Sequence, residues 1–370
     1  MHMKKNDHQN SKMVRKTKDI ISIIFLSLVS LLALTFCIGL LLSNADLRRR
    51  IEAKTSELDA IENEGYYTTA RAEQMVENAV AETASETLES VRNTFKEELS
   101  SRGSLSAIRE LYPDNLIVVS NGEYLFYPID ENMDRHLFGA EDFRASSNGK
   151  LDYIGPDESV KPKFGVMVSR YNGEINFENV KSAGVDFVMV RAGLRGSSED
   201  ASLVEDDFFR QDINGALAAG LQVGVYFDSS AVNTKEAEEE AEFVLSLIDP
   251  YDVTYPVAIL IEASDSPDSR TINLDADDYS QIIDTYCTRI QNAGYKPMVY
   301  GNILSYVEYI DLEIQKKYPV WFSFSGDRPY YPYNFDMWEY TRNGYIYGID
   351  GGANFIMCLT DYSNSENKDD

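Results

Sequence analysis

The 370-residue sequence predicts an α/β protein: an irregular (β/α) barrel whose last strands are joined by turns, set behind an N-terminal transmembrane helix and a helical stalk. Three observations carry that prediction. An uncharged apolar run fills residues 20–42, a polar stretch with helical spacing follows over 46–101, and from Phe164 onward apolar strand-like runs alternate with amphipathic ones.

The run from Ile20 to Leu42 is long enough, at about 1.5 Å of helix per residue, to cross a hydrocarbon core. Lys4, Lys5, Lys12, Arg15, Lys16 and Lys18 precede it, against Arg48, Arg49 and Arg50 behind. The excess of positive charge in front places the basic tail, 1–19, in the cytoplasm and everything after the span outside a bacterial-type cell membrane. The competing reading is a signal peptide cleaved near Ser43-Asn44-Ala45, which the length of the run disfavours.

Over 46–101, Leu47, Ile51, Leu58 and Ile61, and later Ala72, Met75, Ala79, Leu88, Val91 and Phe95, recur at helical spacings across a break at Gly65-Tyr66-Tyr67. A stalk fits this pattern, either paired with a second copy as a homodimeric coiled coil or standing as one solvated helix. Within 108–156, LIVVSNGEYLFYPI reads as two strands around an Asn121-Gly122 turn, and the rest reads as a linker.

The large region, 160–361, strings together FGVMV, DFVMVRAG, QVGVYFDS, YPVAILIEA, KPMVYGN and PVWFSFSG, with amphipathic segments around Val180, Ile213, Phe243 and Ile282 between the first five. Continuous apolar strands separated by helices argue a parallel sheet, and this many argue its closure. FDMWEYT, YIYGID and ANFIMCL then follow with only turns between, so strands with few helices should complete the barrel. A polar tail, 362–370, is expected to be disordered.

Composition narrows function. The chain holds 34 Lys/Arg and 61 Asp/Glu, a net charge of −27, with 9 basic and 3 acidic residues in the first fifty. The remainder is strongly acidic and repels nucleic acid. Cys37, Cys287 and Cys358 lack metal-ligand spacing; a Cys287–Cys358 bridge stays open, though two separate buried thiols are the favoured reading. The only histidines, His2, His8 and His136, precede the barrel region, which excludes a histidine-based triad or metal centre within it. Phosphate-binding glycine loops are absent, so no cofactor is expected.

FGVMVSRYNGEINFENVKSAGVDFVMVRAG resembles the opening of glycoside hydrolase family 25, with its first-strand acid, Asn-Gly turn and Arg-Ala-Gly strand ending. ALAAGLQVGVYFDSS, EAEEEAEFVLSLI, YPVAILIEA, NAGYKPMVYGN, VWFSF and MWEYT continue the likeness in the family's order over about 160–360. The resemblance implies a TIM-like muramidase barrel acting on peptidoglycan or another cell-wall glycan, with a glutamate as general acid and aspartates around it. At the positions it aligns, Glu262 keeps the general acid, but Met167, Leu260 and Asn354 stand where the family carries acids. Sugar-bond hydrolysis needs a proton donor and a second group that stabilises the oxocarbenium centre. Asp228 and Glu339 are the candidate substitutes, with the alternative that they pair with Arg191 or Arg195. Tyr171, Asn172, Arg191, Tyr226, Tyr300, Asn302, Trp321, Trp338 and Tyr340 are the candidate sugar-binding groups, because aromatic faces stack on sugar rings and amides bond hydroxyls. The leading expectation is a degenerate, glycan-binding barrel at the cell surface; the alternatives are an active muramidase and a protein-interaction scaffold.

Overall fold

The computed structural model describes residues 27–32, 34, 46–63, 69–101, 104–120, 122–198, 201–262 and 266–363, in two compact units, 1–113 and 114–370. The tail beyond 363 and most of the apolar run 20–42 lie outside the described residues; 27–32 and 34 are helical. Among the described residues no helix is long and apolar enough to cross a membrane.

In the first unit, α1 (Asp46–Asn63) and α2 (Thr69–Ser101) are followed by α3 (Ser104–Leu111). The two long helices do not continue as one rod. They pack side by side, with Ile51, Val76, Ala79, Val80 and Thr83 along the seam and an Arg50–Glu86 ion pair across it. The apolar stripe that the sequence offered to a second copy is thus met partly within the chain, because the helical pattern fixes which face is apolar but not what covers it.

The second unit opens with β1 (Asn115–Ser120) and β2 (Glu123–Pro128), antiparallel from Asn115↔Pro128 to Ser120↔Glu123, as the Asn-Gly turn predicts. The segment read as a linker is instead structured. It forms β3 (Phe143–Ala145) and β4 (Leu151–Tyr153) with Asn148-Gly149 at their turn. Phe138, Phe143 and Tyr153 cluster, and Phe143 meets Trp338 edge-on at 5.7 Å. Spaced aromatics gave this segment a core contact that its charges and glycines concealed.

The barrel strands are β5 (Lys163–Val168), β6 (Phe187–Arg195), β8 (Gln222–Asp228), β9 (Val257–Ile261), β10 (Pro297–Asn302), β11 (Val320–Ser323), β12 (Met337–Gly344) and β13 (Ala353–Cys358), with a short β7 (Leu203–Glu205) beside β6. Strands β5, β6 and β8 to β12 pair in parallel, and β13 closes the ring antiparallel to both β12 and β5. Helices α4 (Phe177–Ser182), α5 (Phe209–Ala218), α6 (Thr234–Ile248), α7 (Ala276–Asn292), α8 (Ile303–Glu308) and α9 (Leu312–Lys317) alternate with the first strands; no helix stands between β11 and β13. Asn176, Asn233, Asp275 and Asn302 accept backbone N–H bonds at the starts of α4, α6, α7 and α8, satisfying donors that a helix cannot bond itself.

Strand alternation sorts the core into two layers. Val166, Val188, Val190, Val223, Val225, Val257, Ile259 and Val299 face the helices, while Phe187, Met189, Tyr226, Ala258, Met298, Tyr300, Trp321, Met337 and Ile356 fill the barrel. Each such fully buried aliphatic side chain contributes about 1.5–3 kcal/mol. Gly224 makes room for this filling: a Cβ there would lie 2.6 Å from Met189 Sδ and 2.8 Å from the Pro256 carbonyl. Phe187 stacks on Tyr255 at 4.4 Å, and Tyr362 meets Tyr255 at 5.7 Å, sealing the end away from the strand C-termini. Cys287 and Cys358 are both buried and free, and burial pushes both thiols up.

YIYGID, expected as a strand, is a turn. Ile346 and Ile349 are buried and Tyr345 and Tyr347 exposed, an alternation that mimics a strand. Gly348 breaks it at φ +108°, where a Cβ would meet the Asn176 carbonyl at 2.5 Å.

Candidate functional site

At the C-terminal end of the barrel strands an open cleft of about 400 Å³ is lined by strand-end and loop residues. Met167, Arg191, Tyr226, Asp228, Leu260, Glu262, Tyr300, Asn302 and Asn354, all singled out in the sequence, meet there. Tyr171 and Asn172 reach it from the loop after β5. Ser169, Ser323, Arg342 and Gly352 complete the wall, and nothing in their local sequence distinguished them.

Glu262 is exposed, just beyond the end of β9, and Leu260 two residues earlier lines the same cleft. Asp228 ends the neighbouring strand, its Cα paired in register with Leu260. Beside the β9 position where the family resemblance leads one to expect an acid, a carboxylate therefore stands on β8. Burial raises the Asp228 carboxyl to about 6; the charge of Glu262 adds to the rise and Arg191 opposes it. The pair shares one cleft and interacts electrostatically.

A second carboxylate, Glu339, has a different fate. Asn354 occupies the β13 position where the family resemblance leads one to expect an acid, and its Nδ2 donates to Glu339 Oε1 on β12 at 2.8 Å. Glu339 is 1% exposed, and it also accepts from Arg342 Nε at 3.0 Å and from the Tyr300 hydroxyl. Three donors satisfy this carboxylate, and it does not line the cleft. Glu339 is a strut of the barrel wall rather than a replacement catalytic group.

The anticipated partners of these acids are engaged elsewhere. Arg191 Nε donates to Asp206 Oδ2 at 2.6 Å, and Asp206 Oδ1 also accepts from the backbone N–H groups of Arg170 and Phe208. Arg195 binds Glu240 Oε1 at 2.8 Å and Glu239, with Ser229 donating to Glu240. Asp206 and Glu240 were not singled out, since an acid on a loop or helix carries no signal that it folds onto a strand arginine.

Tyr171 is 76% exposed and lies between two guanidiniums, with Arg191 at 4.9 Å and Arg170 at 5.2 Å from its ring. A hydrogen bond from Arg170, with the charges of Arg170 and Arg191, holds its phenol below the ordinary tyrosine range. Asn172 accepts from the Ser169 N–H, and Asn302 caps α8 through Ser305, so both amides are positioned by their own backbone. Tyr226 and Tyr300 form the floor, buried up to their cleft-facing edges.

Three expected sugar-binding residues are elsewhere. Trp321 faces the barrel interior but is fully buried, stacked on Tyr300 at 3.8 Å beneath the cleft. Trp338 and Tyr340 face outward under the β3–β4 layer: Trp338 Nε1 donates to the Phe324 carbonyl at 2.7 Å, and the Tyr340 hydroxyl accepts from the Leu151 N–H. Their neighbours on the strand, Met337 and Glu339, take the inward places, so strand parity removes both aromatics from the mouth. Among the described residues no group of His, Cys, Asp and Glu is arranged to hold a metal ion.

The family model described as "Glycosyl hydrolases family 25" matches residues 166–349, from β5 through the turn after β12. The barrel is a glycosyl hydrolase family 25 domain. Solved structures that this chain is similar to include the modular autolysin LytC from Streptococcus pneumoniae, at 23% identity and a TM-score of 0.48 over 66% of this chain and 56% of that one. The spore cortex lytic enzyme SleM from Clostridium perfringens shares 17% identity over 55% of this chain and 68% of its own, with a TM-score of 0.46. The lysozyme from Streptomyces coelicolor shares 19% identity over 54% and 94%, with a TM-score of 0.44. This chain spans 56% of the length of the autolysin, and no curated protein matches it.

Proposed function

We propose that the family 25 barrel binds cell-wall glycan of the peptidoglycan type in the cleft, displayed outside the membrane behind the apolar run 20–42. The cleft itself carries the reading: amides from Asn172, Asn302 and Asn354 and the Tyr171 ring surround an open groove of sugar-chain size. The side-by-side helices α1 and α2 keep most of their surface solvated, which suits a spacer, with self-association of that unit as a further proposal. Titration of soluble peptidoglycan fragments into the full chain in mild detergent tests the reading; saturable binding that Asn302→Ala weakens is expected, and absence of binding removes it.

The acid set implied by the family resemblance is reduced, and with Met167 and Leu260 apolar the bound glycan is expected to stay intact. One observation favours a second reading, residual hydrolysis. Asp228 faces the same cleft as Glu262, supplying a second carboxyl. Release of reducing ends from purified peptidoglycan that disappears in both Glu262→Gln and Asp228→Asn would establish this reading over binding alone. A rate about 10²-fold to 10⁴-fold below that of a complete acid set is expected in that case.

A further inference from the structure

The charged side chains that line the cleft are Arg191, Asp228, Glu262 and Arg342, two of each sign. With Met167, Leu260 and Asn354 uncharged, the wall is balanced rather than acidic, so its net charge does not turn an anionic ligand away. The two cations differ in what they have to spare. The Arg191 side chain is 8% exposed and ion-paired with Asp206, whereas the Arg342 side chain is 55% exposed.

A bulge brings Arg342 to the cleft. Met337 and Glu339 face inward, opposite Cys358 and Ile356 of β13, and strict alternation would send Arg342 outward. Tyr340 has no partner on β13, because Thr341 pairs with outward-facing Phe355 directly after Glu339 pairs with Ile356. The extra residue shifts the alternation by one and turns Arg342 inward. There its Nε donates to Glu339 Oε1 at 3.0 Å and its Nη2 to Ser323 Oγ at 3.3 Å, while Nη1 bonds nothing among the described residues. The charge of Glu339, helped by that of Glu262, holds the guanidinium protonated. Glu339 thus orients this group through one nitrogen and leaves its far end, Nη1 and the long-bonded Nη2, to a ligand.

We infer that Arg342 binds a carboxylate on the sugar held in the cleft, so that the site selects an acidic sugar over a neutral one of the same size. The inference rests on the glycan-binding reading of the cleft and adds the charge of the ligand. Two parallel N–H groups of a planar guanidinium match the two oxygens of a carboxylate. In a peptidoglycan-type glycan that group is the lactyl carboxylate of a muramic acid carrying no peptide; a uronic acid offers the same chemistry.

Calorimetry on the full chain in mild detergent compares N-acetylglucosaminyl-N-acetylmuramic acid, whose lactyl carboxylate is free, with its methyl ester, which keeps the shape and removes the charge. The wild type is expected to favour the acid about ten-fold, the scale of one charge-assisted hydrogen bond. In Arg342→Gln the ratio should fall to about one, and Arg342→Lys should keep part of it. A role confined to bracing Glu339 would lower Tm without moving this ratio. Equal wild-type affinity for acid and ester, or a ratio that Arg342→Gln leaves unchanged, overturns the inference while the cleft reading stands. Wild-type failure to bind either ligand overturns both. The same comparison with N-acetylglucosaminyl-glucuronic acid and its methyl ester separates the two sources: a matching preference assigns the contact to sugar carboxylates in general, and a preference confined to the muramyl pair assigns it to the lactyl arm. Should Arg342→Gln unfold, Glu339→Gln/Arg342→Gln, which leaves no unpaired charge in the wall, decides by the same ratio.

Discussion

Asp228 and Glu339 are two acids on strands beside positions from which the family resemblance leads one to expect an acid, and the barrel treats them oppositely. Glu339 is closed in by Tyr300, Arg342 and Asn354. Asp228 borders open space and shares it with Glu262, with burial lifting its carboxyl to about 6. A displaced carboxylate is thus either a structural strut or a chemical group according to the donors that reach it, and those come from other strands. Asp212 on α5 is a third case: it is fully buried, neither oxygen has a partner among the described residues, and burial with the nearby charge of Asp206 raises it to about 7.

The largest effect expected from this contrast is at Glu339. Glu339→Ala leaves Tyr300 and Asn354 without an acceptor inside the wall and frees Arg342, which is half-exposed and can turn to water. A loss of about 3 kcal/mol is expected, lowering Tm by about 6–12 °C. A fall in Tm no larger than that caused by Asp228→Ala would show that the two acids are not distinguished as described.

Next is Asp212, where the sign is opposite. Its folded pKa of about 7 lies above the ordinary carboxylate value, so the folded state holds a proton that the unfolded chain releases. Stability is full near pH 4 and falls as pH rises to about 7. Asp212→Asn removes the penalty and should stabilise the protein by about 2 kcal/mol at pH 7.5, with no gain at pH 4. Chemical denaturation at the two pH values measures it; a gain equal at both would mean that Asp212 is not the titrating group.

The smallest effect sharpens the cleft pair. In Glu262→Gln, Asp228 loses a neighbouring negative charge, so its carboxyl should titrate below about 6 while staying above the ordinary range, burial being the larger cause. Carbon-13 NMR of the aspartate carboxyls follows the change. An unmoved Asp228 would mean that the two groups do not feel each other, and the hydrolytic reading would lose its support.

The fold was legible because its signals are local. Apolar runs such as VGVYF and VAILI, the helical segments around Val180, Ile213 and Ile282, and the Asn121-Gly122 hairpin each declare their state within a few residues. YIYGID misled for the same reason: its alternation is genuine, but it arises from a turn with two buried isoleucines, and the packing of Gly348 against α4 is invisible in the string. Glu262, Asp228 and Tyr171 were legible as cleft residues because each sits at or just beyond the end of a recognisable strand. Trp338 and Tyr340 sit on an equally recognisable strand but on its other face.

By itself the sequence determined the strand and helix order, the family 25 barrel, and the uncharged side chains at Met167, Leu260 and Asn354. Tertiary structure alone decided that Asp228 stands beside Leu260, that Glu339 bonds Asn354, and that Asp206 rather than a cleft acid takes Arg191. The physical reason is range: backbone state follows from neighbours along the chain, whereas the charge and reactivity of a carboxyl follow from the groups that a closed sheet brings against it from distant strands.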